Sequence, residues 1–306
     1  MNQKSIRGVV PPLVTPLLGQ NQLDVEGLER LVEHIVGAGA HGLFMMGTTG
    51  EGPSLSPRLR REVVEVACRA ANERAPIIVG ITDTNWESAL ELAQFAHQQG
   101  AAAAVAAPPP YFPLAQNEVL SYFNELAEAL PLPLVLYNMP AMTKVHIDLE
   151  TVRRLSEHPN IIGIKDSSGN MDFFLRLVRL AQSERPDWTV MIGSETLLPE
   201  AIAAGGDGSV CGGANFAPAL FVALYHAARD NNRERVRQLQ AQVIELGEQV
   251  YTLDQTPMAG VKGIKSALHV MGICEATMAS PLRDLCVADS QQLRAVMSDL
   301  QSEKIA

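Results

Sequence analysis

Short, almost continuously apolar runs alternate along the chain with longer segments whose apolar residues recur at helical spacing. The runs are GVVPPLVTP (8–16), GLFMMG (42–47), PIIVGIT (76–82), AAAVAAPP (102–109), LPLVLYNMP (132–140), IIGIKDS (161–167), TVMIGSE (189–195) and DGSVCGG (207–213). Runs this short and this uniformly apolar predict parallel strands buried on both faces. Between them, DVEGLERLVEHIVGAG and SPRLRREVVEVACRAANE set charges opposite an apolar stripe, the pattern of a surface helix. Ser56 followed by Pro57 is a helix start. Gly37, Gly39, Gly100, Gly205 and Gly206 mark helix ends.

Eight such units, spaced by roughly the length of one βα repeat, predict an α/β protein with a closed (β/α)8 TIM barrel. A doubly wound open sheet is the alternative, but its dinucleotide turn needs glycines after the first strand, and here Pro11 and Pro12 occupy that strand. After Asp230 no strand-like run recurs. NNRERVRQLQAQVIELGEQVY, the stretch 260–271 and DSQQLRAVMSDLQ all read as helices. The expected organisation is a catalytic barrel over residues 1–230 and a C-terminal helical extension over 231–306.

Composition narrows the function without choosing it. With 47% hydrophobic and 19% charged residues, 306 residues suffice for a large core. A net charge of −10 argues against a general nucleic-acid or anionic-membrane surface, though not against a small anionic substrate. The N-terminal MNQKSIRG has no apolar segment of the signal-peptide kind, and AAAAVAA is too short to span a bilayer. Cys68, Cys211, Cys274 and Cys286 show neither metal-ligand nor disulfide spacing. A reduced, cytoplasmic protein without metal or nucleotide cofactor is the expectation.

In a barrel, chemistry collects where strands end. That rule gathers GTTGE (47–51), Tyr111, YNMP (137–140), Lys165 and GSE (193–195) over one mouth. A lysine among Ile161, Ile162 and Ile164 is partly desolvated, which favours the neutral, nucleophilic amine of a Schiff-base former. A strand-terminal lysine that merely reaches solvent is the plain alternative. GTTGE is either a turn of small residues or, with two hydroxyls and free backbone N–H groups ahead of a helix, a carboxylate site. Tyr137 is either a core tyrosine or a phenol within reach of the lysine, suited to proton relay. Lys262 and Lys265, at helical spacing in the tail, read as structural.

GTTGE, YNMPAMT and GIKDS, in this order, resemble the dihydrodipicolinate synthase and N-acetylneuraminate lyase family over essentially the full length. The resemblance implies a barrel-fold class I aldolase or related lyase, commonly tetrameric, that consumes or releases pyruvate. It implies that Lys165 forms the Schiff base and that Tyr137 moves protons. It places Thr48 and Thr49 in the pyruvate-carboxylate loop, with Thr48 linking Tyr137 to a Tyr111 supplied by a neighbouring subunit. Substrate contacts are expected from Gly47, Thr48, Thr49, Met142, Ser194, Glu195 and Val210, with Asn215 also near. The synthase pattern carries an arginine two residues after its YNxP turn; here that place is Met142, without charge. The expected activity is therefore aldol chemistry on a 2-keto-3-deoxy sugar acid or a 4-hydroxy-2-oxoglutarate, with an aldehyde as second partner. Synthase chemistry with aspartate semialdehyde, and a non-catalytic 2-oxo-acid-binding barrel, are the alternatives.

Overall fold

The computed structural model describes residues 6–302. Eight parallel strands make one sheet: β1 (Gly8–Val9), β2 (Leu43–Met45), β3 (Ile77–Gly80), β4 (Ala103–Ala106), β5 (Leu134–Asn138), β6 (Ile161–Asp166), β7 (Thr189–Ile192) and β8 (Gly208–Ser209). Their order is β1-β8-β7-β6-β5-β4-β3-β2, every neighbouring pair parallel. The two edges meet. Pro12 bridges Phe44, the Phe44 N–H donates to the Pro11 carbonyl, and the Leu13 N–H donates to that of Phe44, each bond 2.9 Å. Proline has no N–H to give a ladder, which is why β1 is so short and the closure so sparse.

The expected barrel is present, each strand lying in its predicted apolar run. Inside it, Phe44, Ile78, Val105, Val135, Tyr137, Met191 and Val210 form one buried cluster. A larger cluster lies between the sheet and the surrounding helices. Helix starts follow the sequence signals: the Ser56 hydroxyl accepts from the Leu59 N–H ahead of Pro57–Ala71, and Asn170 does the same for Phe173 ahead of Met171–Glu184. One strand contact is backbone against backbone. A Cβ on Gly208 would lie 2.0 Å from the Gly8 carbonyl oxygen, so only glycine lets β8 and β1 pair this closely.

A hairpin, Leu17–Gly19 with Gln22–Leu23, was not foreshadowed by the pattern; Leu17 also bridges Ala276. After the helix Pro218–Arg229 come Arg233–Val250, Ala259–Val270 and Val287–Ser302. Among the described residues no helix is long and apolar enough to cross a membrane.

Candidate active site

β5 and β6 run side by side with Tyr137 opposite Lys165. Successive strand residues point to opposite faces, so partners in register share one, and these two share the barrel interior. Both side chains are almost wholly buried, and the lysine Nζ sits 4.0 Å from the centre of the Tyr137 ring and 5.1 Å from that of Phe44. An ammonium on an aromatic face is electrostatically favoured, and it stands here beside the phenol.

The loop after β2 completes this pair. Thr48 Oγ1 lies 3.3 Å from the Tyr137 hydroxyl. Met46 (φ 61°) and Glu51 (φ 54°), both in the left-handed region, bracket the loop, and the Glu51 N–H closes it onto the Thr48 carbonyl at 3.0 Å. Burial pushes the Tyr137 phenol up. The Lys165 charge and hydrogen bonds with Thr48, Lys165 and Ser167 together outweigh it and hold the phenol below the ordinary tyrosine range.

A cavity of about 300 Å³ opens over these groups. Of the expected residues, Thr48, Thr49, Tyr137, Lys165, Ser194, Glu195 and Val210 line it. Gly47 is buried behind it. Met142, on the short helix Pro140–Thr143, is 41% exposed and lines no part of it. Tyr111 also stands outside, 86% exposed, its ring edge against Phe112. Asn215 is fully engaged elsewhere: it accepts from the Val14 N–H and donates to the carbonyls of Pro12 and Gly212, tying loops together behind the site.

Two lining groups, Ser167 at the end of the GIKDS motif and Tyr251 in the tail, are not among the site residues expected from the sequence. Ser167 follows β6 and faces Tyr137; a Cβ on Gly193 would lie 2.0 Å from its hydroxyl, so glycine there keeps Ser167 in place. Tyr251, at the end of Arg233–Val250, donates its hydroxyl to Glu195 at 2.9 Å, and the Gly213 N–H donates to the same carboxylate at 2.7 Å. Burial pushes the Glu195 carboxyl up, against the pull of its bonds to Gly213, Tyr251 and Gly212. The neighbouring helix Ala259–Val270 adds Gly260, Val261 and Ile264 to the wall.

A buried lysine at a strand end, a phenol of lowered pKa against it and a threonine-rich loop over both define a Schiff-base lyase of the (β/α)8 class. Comparison with known proteins carries this further. Residues 5–300 match the model of the dihydrodipicolinate synthetase family, and the chain belongs to that family. It is 31% identical to a 4-hydroxy-tetrahydrodipicolinate synthase of Methanopyrus kandleri, over 96% of each chain. A solved dihydrodipicolinate synthase from Bacteroides thetaiotaomicron superposes with a TM-score of 0.94 at 41% identity, covering 98% of this chain and 100% of that one. YagE of Escherichia coli, named a putative 2-dehydro-3-deoxy-D-gluconate aldolase and solved in complex with pyruvate, superposes at 0.91 with 30% identity, covering 98% and 99%. The chain is thus a lyase of a family of pyruvate-dependent class I aldolases, whose members bear both synthase and sugar-acid aldolase names.

Proposed function

We propose that this enzyme is an aldolase that cleaves, or forms, a 2-keto-3-deoxy acid from pyruvate and a neutral hydroxyaldehyde. The Lys165 amine adds to the 2-oxo carbon; loss of water gives an iminium that accepts the electron pair released as the C3–C4 bond breaks. Tyr137 takes the proton from the C4 hydroxyl and later returns a proton to C3 of the enamine, Thr48 and Ser167 orienting its hydroxyl. Water then hydrolyses the iminium and frees pyruvate. Thr48 and Thr49 would hold the carboxylate. The covalent lysine is the electron sink, so the reading calls for no metal or nucleotide.

One observation carries the choice of substrate. Lys165 is the cation among the side chains lining the cavity, and Glu195 is the acid. Once Lys165 is engaged with the 2-oxo carbon, no second cation remains in the wall among the described residues to pair a distal carboxylate, which would lie near Glu195. A carboxylate left without a cation in a half-buried site costs binding, whereas hydroxyls can donate to the Glu195 oxygens. The second reading, synthase chemistry with aspartate semialdehyde, is favoured by the names of several relatives, the 41%-identical structure among them. We read the chain as a barrel over 1–230 and a tail over 231–306 that walls the site, in a cytoplasmic homotetramer whose subunits exchange Tyr111.

The test is pyruvate with borohydride, then pyruvate with a panel of aldehydes read by product mass. One reduced adduct at Lys165 and faster condensation with glyceraldehyde or glycolaldehyde than with aspartate semialdehyde are expected. An adduct on Lys262 or Lys265, or aspartate semialdehyde outpacing every neutral aldehyde, defeats the corresponding half of the reading.

A further inference from the structure

Outside the cavity lies a charged pair that the chemistry above does not use. Glu51, the last residue of the loop that carries Thr48, meets Lys265 of the helix Ala259–Val270 at 2.5 Å, and both side chains are completely buried. Lys265 Nζ also donates to the Thr277 carbonyl at 2.6 Å, and the second Glu51 carboxylate oxygen accepts from the Ala279 N–H at 2.7 Å. The site loop is thereby fixed to two successive segments of the distant tail. Burying two charges costs more in lost hydration than a well-packed apolar pair would, so stability alone does not account for the arrangement. What the pair does hold is direction. Glu51 occupies a left-handed backbone conformation unusual for its type, and its N–H bonds to the Thr48 carbonyl. The same tail helix supplies Gly260, Val261 and Ile264 to the cavity wall.

We propose that Glu51 and Lys265 are positioning residues, which set the Thr48 hydroxyl against Tyr137 and lock the tail helix to the proton relay. The proposal rests on the aldolase reading. Its assay needs only pyruvate: exchange of the C3 protons for deuterium, followed by NMR, which requires the Schiff base and the relay but no aldehyde. The decisive variant replaces both charges together, Glu51→Gln with Lys265→Met, so that neither charge is stranded and the Ala279 N–H keeps its acceptor. A thermal midpoint close to wild type is expected, with exchange slowed about tenfold or more, within what a proton relay contributes. In a Thr48→Val background the same replacement should slow exchange little further, because both changes act through one hydroxyl. A purely structural pair would instead lower the midpoint and leave exchange per folded molecule unchanged, or add its full effect to that of Thr48→Val; either result overturns the proposal. If the paired variant does not fold, Glu51→Asp decides, since it keeps the charge and shortens the arm: slowed exchange supports the proposal and wild-type exchange overturns it. Wild-type enzyme that exchanges nothing would fail the aldolase reading, whereas normal exchange in a folded paired variant fails this inference alone.

Discussion

At the scale of single residues, the site separates two tasks that share one small volume. In the proposed reaction Lys165 forms the covalent bond and Tyr137 moves the protons, so removing the phenol should leave the first task possible. Tyr137→Phe is expected to keep a borohydride-trappable adduct at Lys165 while pyruvate C3 exchange falls by about 10²–10⁴. Loss of the adduct together with exchange would show that the phenol is needed for iminium formation as well. The direction of the Tyr137 shift sets the pH profile. Its base form is the phenolate, and the nearby ammonium and hydrogen bonds hold its pKa below the ordinary tyrosine value of 10.0 despite burial. Exchange should therefore climb with pH and level off below pH 10 in the wild type; a limb centred above that value would contradict the assignment.

Elements impose a different constraint, because strands and helices ask opposite things of glycine. At Gly208 in β8, a Cβ would strike the backbone of Gly8 in β1, with the nearest atoms at 2.0 and 2.5 Å. Backbone cannot swing aside as a side chain does. Gly208→Ala should part the two strands next to the sparse, proline-bearing closure and cost about 1–3 kcal/mol or more. Gly247, inside the helix Arg233–Val250, meets nothing closer than the Tyr251 ring at 3.6 Å. There the same substitution should stabilise by up to about 1 kcal/mol, the helix-propensity difference. Denaturant midpoints of the two variants should move in opposite directions, and a stabilised Gly208→Ala would refute the close pairing of β8 with β1 described above.

For the molecule as a whole, the proposed assembly turns on one exposed pair of aromatic side chains. Tyr111 takes φ 93° and is 86% exposed, with Phe112 beside it at 69%. Two neighbouring aromatic rings left to water, one on strained backbone, gain by meeting another surface. If Tyr111 completes a neighbour's site, Tyr111→Phe and Lys165→Ala should each be weak or inactive alone. Mixing them under dissociating conditions should restore part of the activity, since hybrids bring a native lysine from one chain to a native tyrosine from the other. Hybrid formation, confirmed with differently tagged chains, without any recovery would confine Tyr111 to the rim of its own subunit.

Much of this molecule was decided by local sequence. Both faces of a parallel strand are buried, so each strand appears as an unbroken apolar run, and eight of them spaced by helices leave few architectures. Lys165 and Tyr137 were legible for the same reason: a polar group closing such a run stands out, and strand order then sets one beside the other. The hairpin at Leu17–Leu23 was not, because two- and three-residue strands carry no period. Nor were the partnerships of Glu195 with Tyr251 and Glu51 with Lys265, whose members lie 56 and, from 51 to 265, 214 positions apart. Local pattern records which face of its own element a residue occupies. Which distant charge meets it depends on how the tail packs back over the barrel mouth, and whether Met142 or Tyr111 faces the cavity or the solvent depends on the path of the loops after β5 and β4. That is settled only when the whole chain is folded.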